Sequence, residues 1–308
     1  YAAREGMATL VVERGGVGGQ VATTERLDNF PGFPDGITGA DFADRLRRQA
    51  ERYGVEILAA QEVTRLNIDG AYRVVRTADG HEYRAWAVLL AVGSTYRRLG
   101  IPGEDDFIGS CVHFCATCDG PFYRGKDLLV IGGGNSAVEE SLFLARFASK
   151  VTIVSRGQLA ASRVALEKLA EQTSIDLLPG AQPVAFRGTN GHLETVVLRE
   201  QASGAEREVH PAGVFVFVGF EANTRFVRGF VDLDDVGSVR TDQTLQSSVA
   251  GIFAAGDVRT GSTKQAASAA GEGAAVALAI RRYVEPLAGG AGAQHHHEAQ
   301  VVAAAPEL

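Results

Sequence analysis

Apolar positions along the chain fall into two recurring patterns. Short, almost unbroken apolar runs bounded by glycine or charge predict buried strands at Thr9-Leu10-Val11-Val12-Glu13, Ala87-Val88-Leu89-Leu90-Ala91, and residues 127–131, 151–155 and 214–218. In residues 39–53, Phe42, Leu46, Ala50 and Tyr53 recur at helical spacing with charges between them and Gly54 as the stop, which predicts an amphipathic surface helix. Residues 55–58, 72–77 and 81–85 read as shorter strands, and Asn190-Gly191 as a tight turn between strands 184–186 and 193–198. Residues 127–155 spell a complete βαβ unit, with its helix at 137–148. Residues 245–257 read as a strand running into Gly256-Asp257, and residues 262–283 as a long helix of small residues. Residues 97–107 are rich in turn formers, as a crossing between domains would be.

The opening residues 1–6 read as the last turn of a helix closed by Gly6, so the chain starts in the second half of a βαβ unit. In a dinucleotide-binding unit the first half would carry the glycine-rich phosphate loop, and the acid ending the second strand, here Glu13, would hold a ribose hydroxyl. The bland alternative starts the protein at Met7 and leaves Glu13 as a solvated strand end. The tail from Gly289 is rich in Ala, Gly and Gln and is expected to be disordered; its His295-His296-His297 lacks a structured fourth ligand for a metal.

At about 100 to 200 residues per domain, 308 residues predict two domains. A 45% hydrophobic and 22% charged composition is that of a globular enzyme, and 30 basic against 37 acidic residues give −7, which disfavours nucleic acid or an anionic membrane surface as partner. No apolar run approaches the roughly 18 residues that span a bilayer. Three cysteines and no secretory signal point to a reducing, cytoplasmic setting.

Two of those cysteines form Cys115-Ala116-Thr117-Cys118-Asp119. A zinc site needs about four ligands, and only Cys111 and His113 lie nearby, so a redox-active dithiol is the better reading. Asp119 could move the proton that exchange requires, or simply cap a helix. Gly132-Gly133-Gly134-Asn135-Ser136-Ala137 follows a strand and opens a helix, the context in which a glycine loop seats a pyrophosphate. The next strand ends in Ser155-Arg156; an Arg there suits a 2′-phosphate, which makes NADPH the first choice. The Gly256-Asp257 turn, with Lys264-Gln265-Ala266 at a helix start, suits a hydroxyl-bearing ligand whose ring becomes anionic on reduction, as a flavin does.

Gly18-Gly19-Gln20, Asn29-Phe30-Pro31-Gly32, the Cys115 to Asp119 run, Gly132 to Glu140, and Gly251 to Asp257 with Lys264-Gln265-Ala266 together resemble the low-molecular-weight, bacterial-type thioredoxin reductases, class II of the pyridine nucleotide-disulfide oxidoreductases, over about residues 1–283. The resemblance implies an α/β fold of two Rossmann-like, three-layer domains. A discontinuous FAD domain (1–97 and 222–285, without its first strand and phosphate loop) would hold an inserted NAD(P)H domain (98–221) that carries the dithiol, followed by a flexible tail (286–308). It implies FAD contacts from Glu13, Gly19, Gln20, Asn29, Val63, Gly93, Asp257, Lys264, Gln265 and Ala266. Nicotinamide-cofactor contacts would come from Gly132, Gly134, Asn135, Ser136, Ala137, Arg156 and Gly219. Electrons would pass from NADPH through FAD to Cys118, with Asp119 as acid, and Cys115 would attack the disulfide of thioredoxin; a homodimer and a rotating inserted domain are implied too. Where the family usually carries further arginines, this chain has Gly157 and Ala161, with Arg163 offset, so NADH or another donor stays open. A flavin-dependent dithiol oxidase is the alternative activity. Cys111 is read as a small buried thiol.

Overall fold

The structure is a computed structural model that describes residues 1–24, 26–290 and 301–304. Along the chain it forms β1 (Thr9–Val12), α1 (Gly19–Ala22), α2 (Gly39–Arg52), β2 (Glu56–Leu58), β3 (Val63–Asp69), β4 (Tyr72–Thr77), β5 (Glu82–Ala85), β6 (Ala87–Leu90) and β7 (Ser94–Tyr96). It continues through α3 (Glu104–Phe107), β8 (Val112–His113), α4 (Ala116–Asp119), β9 (Asp127–Ile131), α5 (Asn135–Leu144), β10 (Lys150–Ser155), α6 (Arg163–Ala170), β11 (Ile175–Pro179), β12 (Ala181–Thr189), β13 (His192–Glu200), β14 (Glu206–Val209) and β15 (Gly213–Val216). The last elements are β16 (Phe220–Ala222), β17 (Ile252–Ala254), α7 (Ala266–Gly290) and β18 (Val301–Ala304). Two compact units result: Tyr1–Thr95 with the chain from Glu221 onward, and Tyr96–Phe220 inserted between them.

The first unit is built on a parallel sheet ordered β17-β6-β18-β1-β2. Successive side chains of a strand point to opposite faces, which is why uninterrupted apolar runs were needed. Leu10, Val12, Val88, Leu90, Ile252 and Ala254 pack on one face with Leu66, Val75 and Ala85 of the antiparallel β3-β4-β5 sheet. Ala87 and Phe253 pack on the other with Val276, Ile280 and Val284 of α7.

The second unit repeats this logic on the parallel sheet β11-β10-β9-β15-β8. Leu128, Val130, Ile153 and Phe215 meet α5 and α6 through Val138, Leu144 and Leu169. Leu129, Ile131, Val154 and Val214 meet Phe186, Val196 and Leu198 of the β12-β13-β14 sheet. The turn Asn190 (φ 50°) and Gly191 (φ 74°) joins β12 to β13 with both residues left-handed, as a type I′ hairpin requires. The expected α/β class, with two three-layer Rossmann-like units, is therefore what the chain adopts.

Several boundaries differ from the sequence expectation. Leu46 and Tyr53 are 49% and 42% exposed, so α2 buries chiefly Phe42 and Ala43. The strand expected over 245–257 shrinks to β17, because Leu245 takes φ 64° and the Ala254 amide donates back to the Leu245 carbonyl. The last long helix starts at Ala266 and not at residue 262, since Lys264 is left-handed at φ 53°. It also runs through Pro286 to Gly290. The segment expected to be a flexible tail thus begins as helix and later supplies β18, a four-residue strand paired on both edges with β1 and β6. Open strand edges take up any extended segment able to complete their hydrogen bonds. His295, His296 and His297 lie outside the described residues. No helix among the described residues is long and apolar enough to cross a membrane.

Candidate active site

In the second unit, Cys115 and Cys118 form a disulfide at the start of α4. Cys115 is the N-cap, and the Cys118 amide donates to its Sγ at 3.2 Å. A sulfur at a helix N-cap is where a thiolate gains from backbone N–H donors, which marks Cys115 as the sulfur better able to carry charge once the bridge opens. Asp119 closes α4, its carboxylate Oδ2 3.4 Å from Nδ1 of the buried His113. His113 Nε2 lies 2.7 Å from the Tyr123 hydroxyl, which donates to the Ser110 carbonyl at 3.2 Å. Cys111 is buried, 6% exposed, as expected of a small core thiol.

The glycine loop after β9 opens α5 in the same unit. A Cβ on Gly132 would stand 2.4 Å from the Phe217 carbonyl oxygen at φ 152°, so this position admits only glycine. Gly134 caps α5 without a side-chain hydrogen bond, and Gly134, Asn135 and Ser136 are exposed while Ala137 is buried. The N-terminus of this ten-residue helix therefore presents backbone donors to an anion. The Ala160 amide donates to the Gly133 carbonyl and the Ser162 amide to Asn135 Oδ1, which ties the loop to the segment following β10. Arg156 is exposed at the end of β10, whereas Arg163 pairs with Glu167 at 2.8 Å. Gly219 takes φ 108° beside the Arg97 side chain.

In the first unit the predicted ligand residues gather in two places. At the end of β1, Glu13 is 1% exposed; its Oε1 accepts from the Gly15 amide at 2.7 Å, and its Oε2 is buried with no partner among the described residues. Burial pushes the Glu13 carboxyl up, against the Gly15 amide and the Arg14 charge, which pull it down. Beside it opens a cavity of about 330 Å³ lined by Val12, Arg14, Gln61, Val63, Val92 and Asn223. At the second place, Asn29 donates to Gln265 at 3.1 Å, and Ser262 donates to Asp257 at 2.9 Å. Burial lowers Lys264, while Asp257 and Asp234 pull it back up. Gly256, φ 77°, donates its amide to Glu272, which also clamps Arg259 with two bonds of 2.6 and 3.2 Å. Gln20, beside the buried Gly19, donates to the Ser94 carbonyl one residue beyond Gly93. The structure brings Asn29 to Gln265, and Asp257 to Ser262 and Lys264; it does not join either pair to Glu13.

These donors and acceptors fit the two ends of a flavin dinucleotide. The orphaned Glu13 oxygen is where a ribose hydroxyl would donate, and the Asp257 to Ala266 turn presents polar groups suited to the ring end. Between them, the strand slot that in a dinucleotide-binding sheet feeds the phosphate loop is held by β18, whose Val-Val-Ala-Ala contains no glycine. The His113, Tyr123 and Glu272 contacts escaped the sequence reading, because a lone His beside Val112 or a Glu inside a small-residue helix has no local signature.

A family model for pyridine nucleotide-disulphide oxidoreductases matches residues 1–273. The chain is 38% identical to the thioredoxin reductase of Bacillus subtilis (strain 168), an alignment covering 93% of this chain and 90% of that one. It is 41% identical to the bifunctional thioredoxin reductase/thioredoxin of Mycobacterium leprae (strain TN), with 94% of this chain aligned to 63% of the longer protein. The crystal structure of the thioredoxin reductase from Streptococcus pyogenes MGAS5005 superposes with a TM-score of 0.85 at 32% identity, covering 91% of this chain and 98% of that one.

Proposed function

The chain belongs to the pyridine nucleotide-disulphide oxidoreductase family, and from that premise we propose that it is a thioredoxin-disulfide reductase, carrying electrons from NADPH through FAD and the Cys115–Cys118 pair to thioredoxin or a thioredoxin-like protein. The carrying observation is the disulfide at the start of α4, with a backbone donor on the Cys115 sulfur and a carboxylate one residue after Cys118. A flavin, when bound, would supply the two-electron relay between the nicotinamide cofactor and the disulfide.

The chain's own residues do the rest. Glu13 would accept from the adenosine ribose, with Val63 on the wall of the adjoining cavity. Gly19, Gln20, Asn29, Gly93, Asp257, Lys264, Gln265 and Ala266 would hold the ring end. The exposed α5 N-terminus would seat the nicotinamide cofactor's pyrophosphate, with Gly132, Gly134, Asn135, Ser136 and Ala137 shaping the approach and Arg156 meeting the 2′-phosphate. Cys118 receives the electrons, Asp119 holds the proton the released sulfur needs, and Cys115, stabilised by the Cys118 amide, attacks the partner's disulfide. Since Arg156 stands alone and Arg163 is occupied by Glu167, preference for NADPH over NADH should be modest. A cytoplasmic homodimer remains what the resemblance of its sequence motifs implies.

Anaerobic titration of the FAD-loaded protein with NADPH tests this reading. Four electrons per flavin are expected, two in the flavin and two in the disulfide; uptake of two would show that the disulfide is not in the path. Cys118→Ser should abolish thioredoxin reduction yet leave flavin bleaching by NADPH intact, and loss of both would overturn the electron order. A flavin that neither NADPH nor NADH reduces would favour the dithiol oxidase.

A further inference from the structure

His113 is a buried ionisable group at the dithiol for which the electron path has no task. It ends β8 at 7% exposure, its ring 5.2 Å from that of Phe215 on β15 and 5.3 Å from that of Tyr123. Burying an imidazole is costly unless its nitrogens find partners. Here Asp119 from α4 and Tyr123 from the turn of 3-10 helix Gly120–Tyr123 are ionisable groups set against the two nitrogens, and the disulfide lies on the same short helix as Asp119.

The Tyr123 hydroxyl reaches both His113 Nε2, at 2.7 Å, and the Ser110 carbonyl, at 3.2 Å, which anchors the imidazole on one side. On its other side Nδ1 stands 3.4 Å from Asp119 Oδ2, so the ring spans the space between the Tyr123 turn and the carboxylate.

We propose that His113 is a positioning residue for Asp119: anchored by Tyr123, it fixes the carboxyl beside the dithiol, where Asp119 supplies the proton that neutralises the sulfur released on opening. This rests on the reading of Asp119 as proton donor. When a thiolate of a small dithiol attacks Cys115, the Cys115–Cys118 bond breaks and a new S–S bond forms to Cys115. The electron pair leaves on Cys118, which takes the proton from Asp119. The second thiol of the reagent then completes its own disulfide, so the reagent is oxidised as the protein's pair is reduced.

The test uses the full, FAD-loaded chain with dithiothreitol as reductant, and disulfide opening is followed by trapping the freed thiols for mass spectrometry between about pH 5 and 9, a range that spans ordinary His and thiol titration. His113→Leu should slow opening about tenfold at neutral pH and flatten its pH dependence. His113→Gln, whose amide can still donate to Asp119, should restore most of the rate. Asp119→Asn should be slow, and adding His113→Leu to it should slow it no further, since His113 acts only through the Asp119 carboxyl. Wild-type rate and pH profile in His113→Leu, with Asp119→Asn slow, would overturn the positioning role alone; a wild-type Asp119→Asn would overturn the donor reading as well. Should His113→Leu fail to fold, Tyr123→Phe reads the same anchor: a slowed, flattened profile supports the role, and an unchanged one overturns it.

Discussion

Glu13 is a carboxyl whose surroundings work against its charge. Its proton is held more tightly in the folded than in the unfolded chain, so its contribution to stability declines as pH rises from the ordinary glutamate range through the raised folded value. Glu13→Gln should therefore make the flavin-free protein more stable than wild type at neutral pH, with the difference vanishing below about pH 4, where wild-type Glu13 is protonated in both states. The same change removes a charged acceptor for a ribose hydroxyl, so FAD should bind about tenfold more weakly or worse. Thermal melts across pH and fluorescence titration with FAD measure the two effects separately; a variant less stable at every pH would show that the carboxylate is satisfied in a way the burial denies. Glu13 was legible in the sequence because an acid ending an apolar strand is a local pattern. His113 was not, because its partner lies six residues away and only the turn after α4 brings Tyr123 back to it.

At the level of elements, glycines in one loop have separable tasks. Gly132 is fixed by a carbonyl 2.4 Å from where its Cβ would be, whereas a Cβ at Gly134 meets nothing within 4 Å. Gly132→Ala should cost about 2 kcal/mol of stability through backbone displacement. Gly134→Ala should melt near wild type yet bind NADPH more weakly, because a methyl would stand where a pyrophosphate must approach the α5 N-terminus. Equal melting losses in the two variants would argue against this division. Strands β1, β6, β9, β10 and β15 of the parallel sheets could be read from their apolar runs, since burial on both faces leaves little room for polar positions. β3 could not, because it carries Thr64, Arg65 and Asn67 between its apolar residues and only Leu66 is buried. Leu46 misled in the opposite sense: helical spacing placed it with Phe42, but it is 49% exposed while Phe42 is buried.

For the whole molecule, the decisive feature is long-range pairing. β18 joins β6 to β1 by parallel ladders of four residues on each side. Nothing in Val301-Val302-Ala303-Ala304 identifies it as a central strand, and an Ala- and Gly-rich approach disguises it further; the acceptor edges of β1 and β6 define it, and they lie some 200 to 300 residues upstream. Removing residues 301–308 should expose both edges, speed hydrogen exchange at Leu10, Val12 and Leu89, whose amides face β18, and promote association, while Val88, whose amide donates to the Gly251 carbonyl, and Tyr96–Phe220 keep their exchange pattern. Unchanged protection in β1 and β6 would show that the slot closes without β18.

This arrangement also sets an order of events during synthesis. The inserted unit is contiguous from Tyr96 to Phe220 and can close as soon as its last strand has left the ribosome, whereas β1 must wait for β17, α7 and β18, which follow the inserted unit in the chain. Strand β1, translated before the inserted unit, would thus find β18 only after that unit has closed. Chains whose synthesis stops before β18 would carry one finished unit and one open sheet, the form that chaperones would be expected to retain.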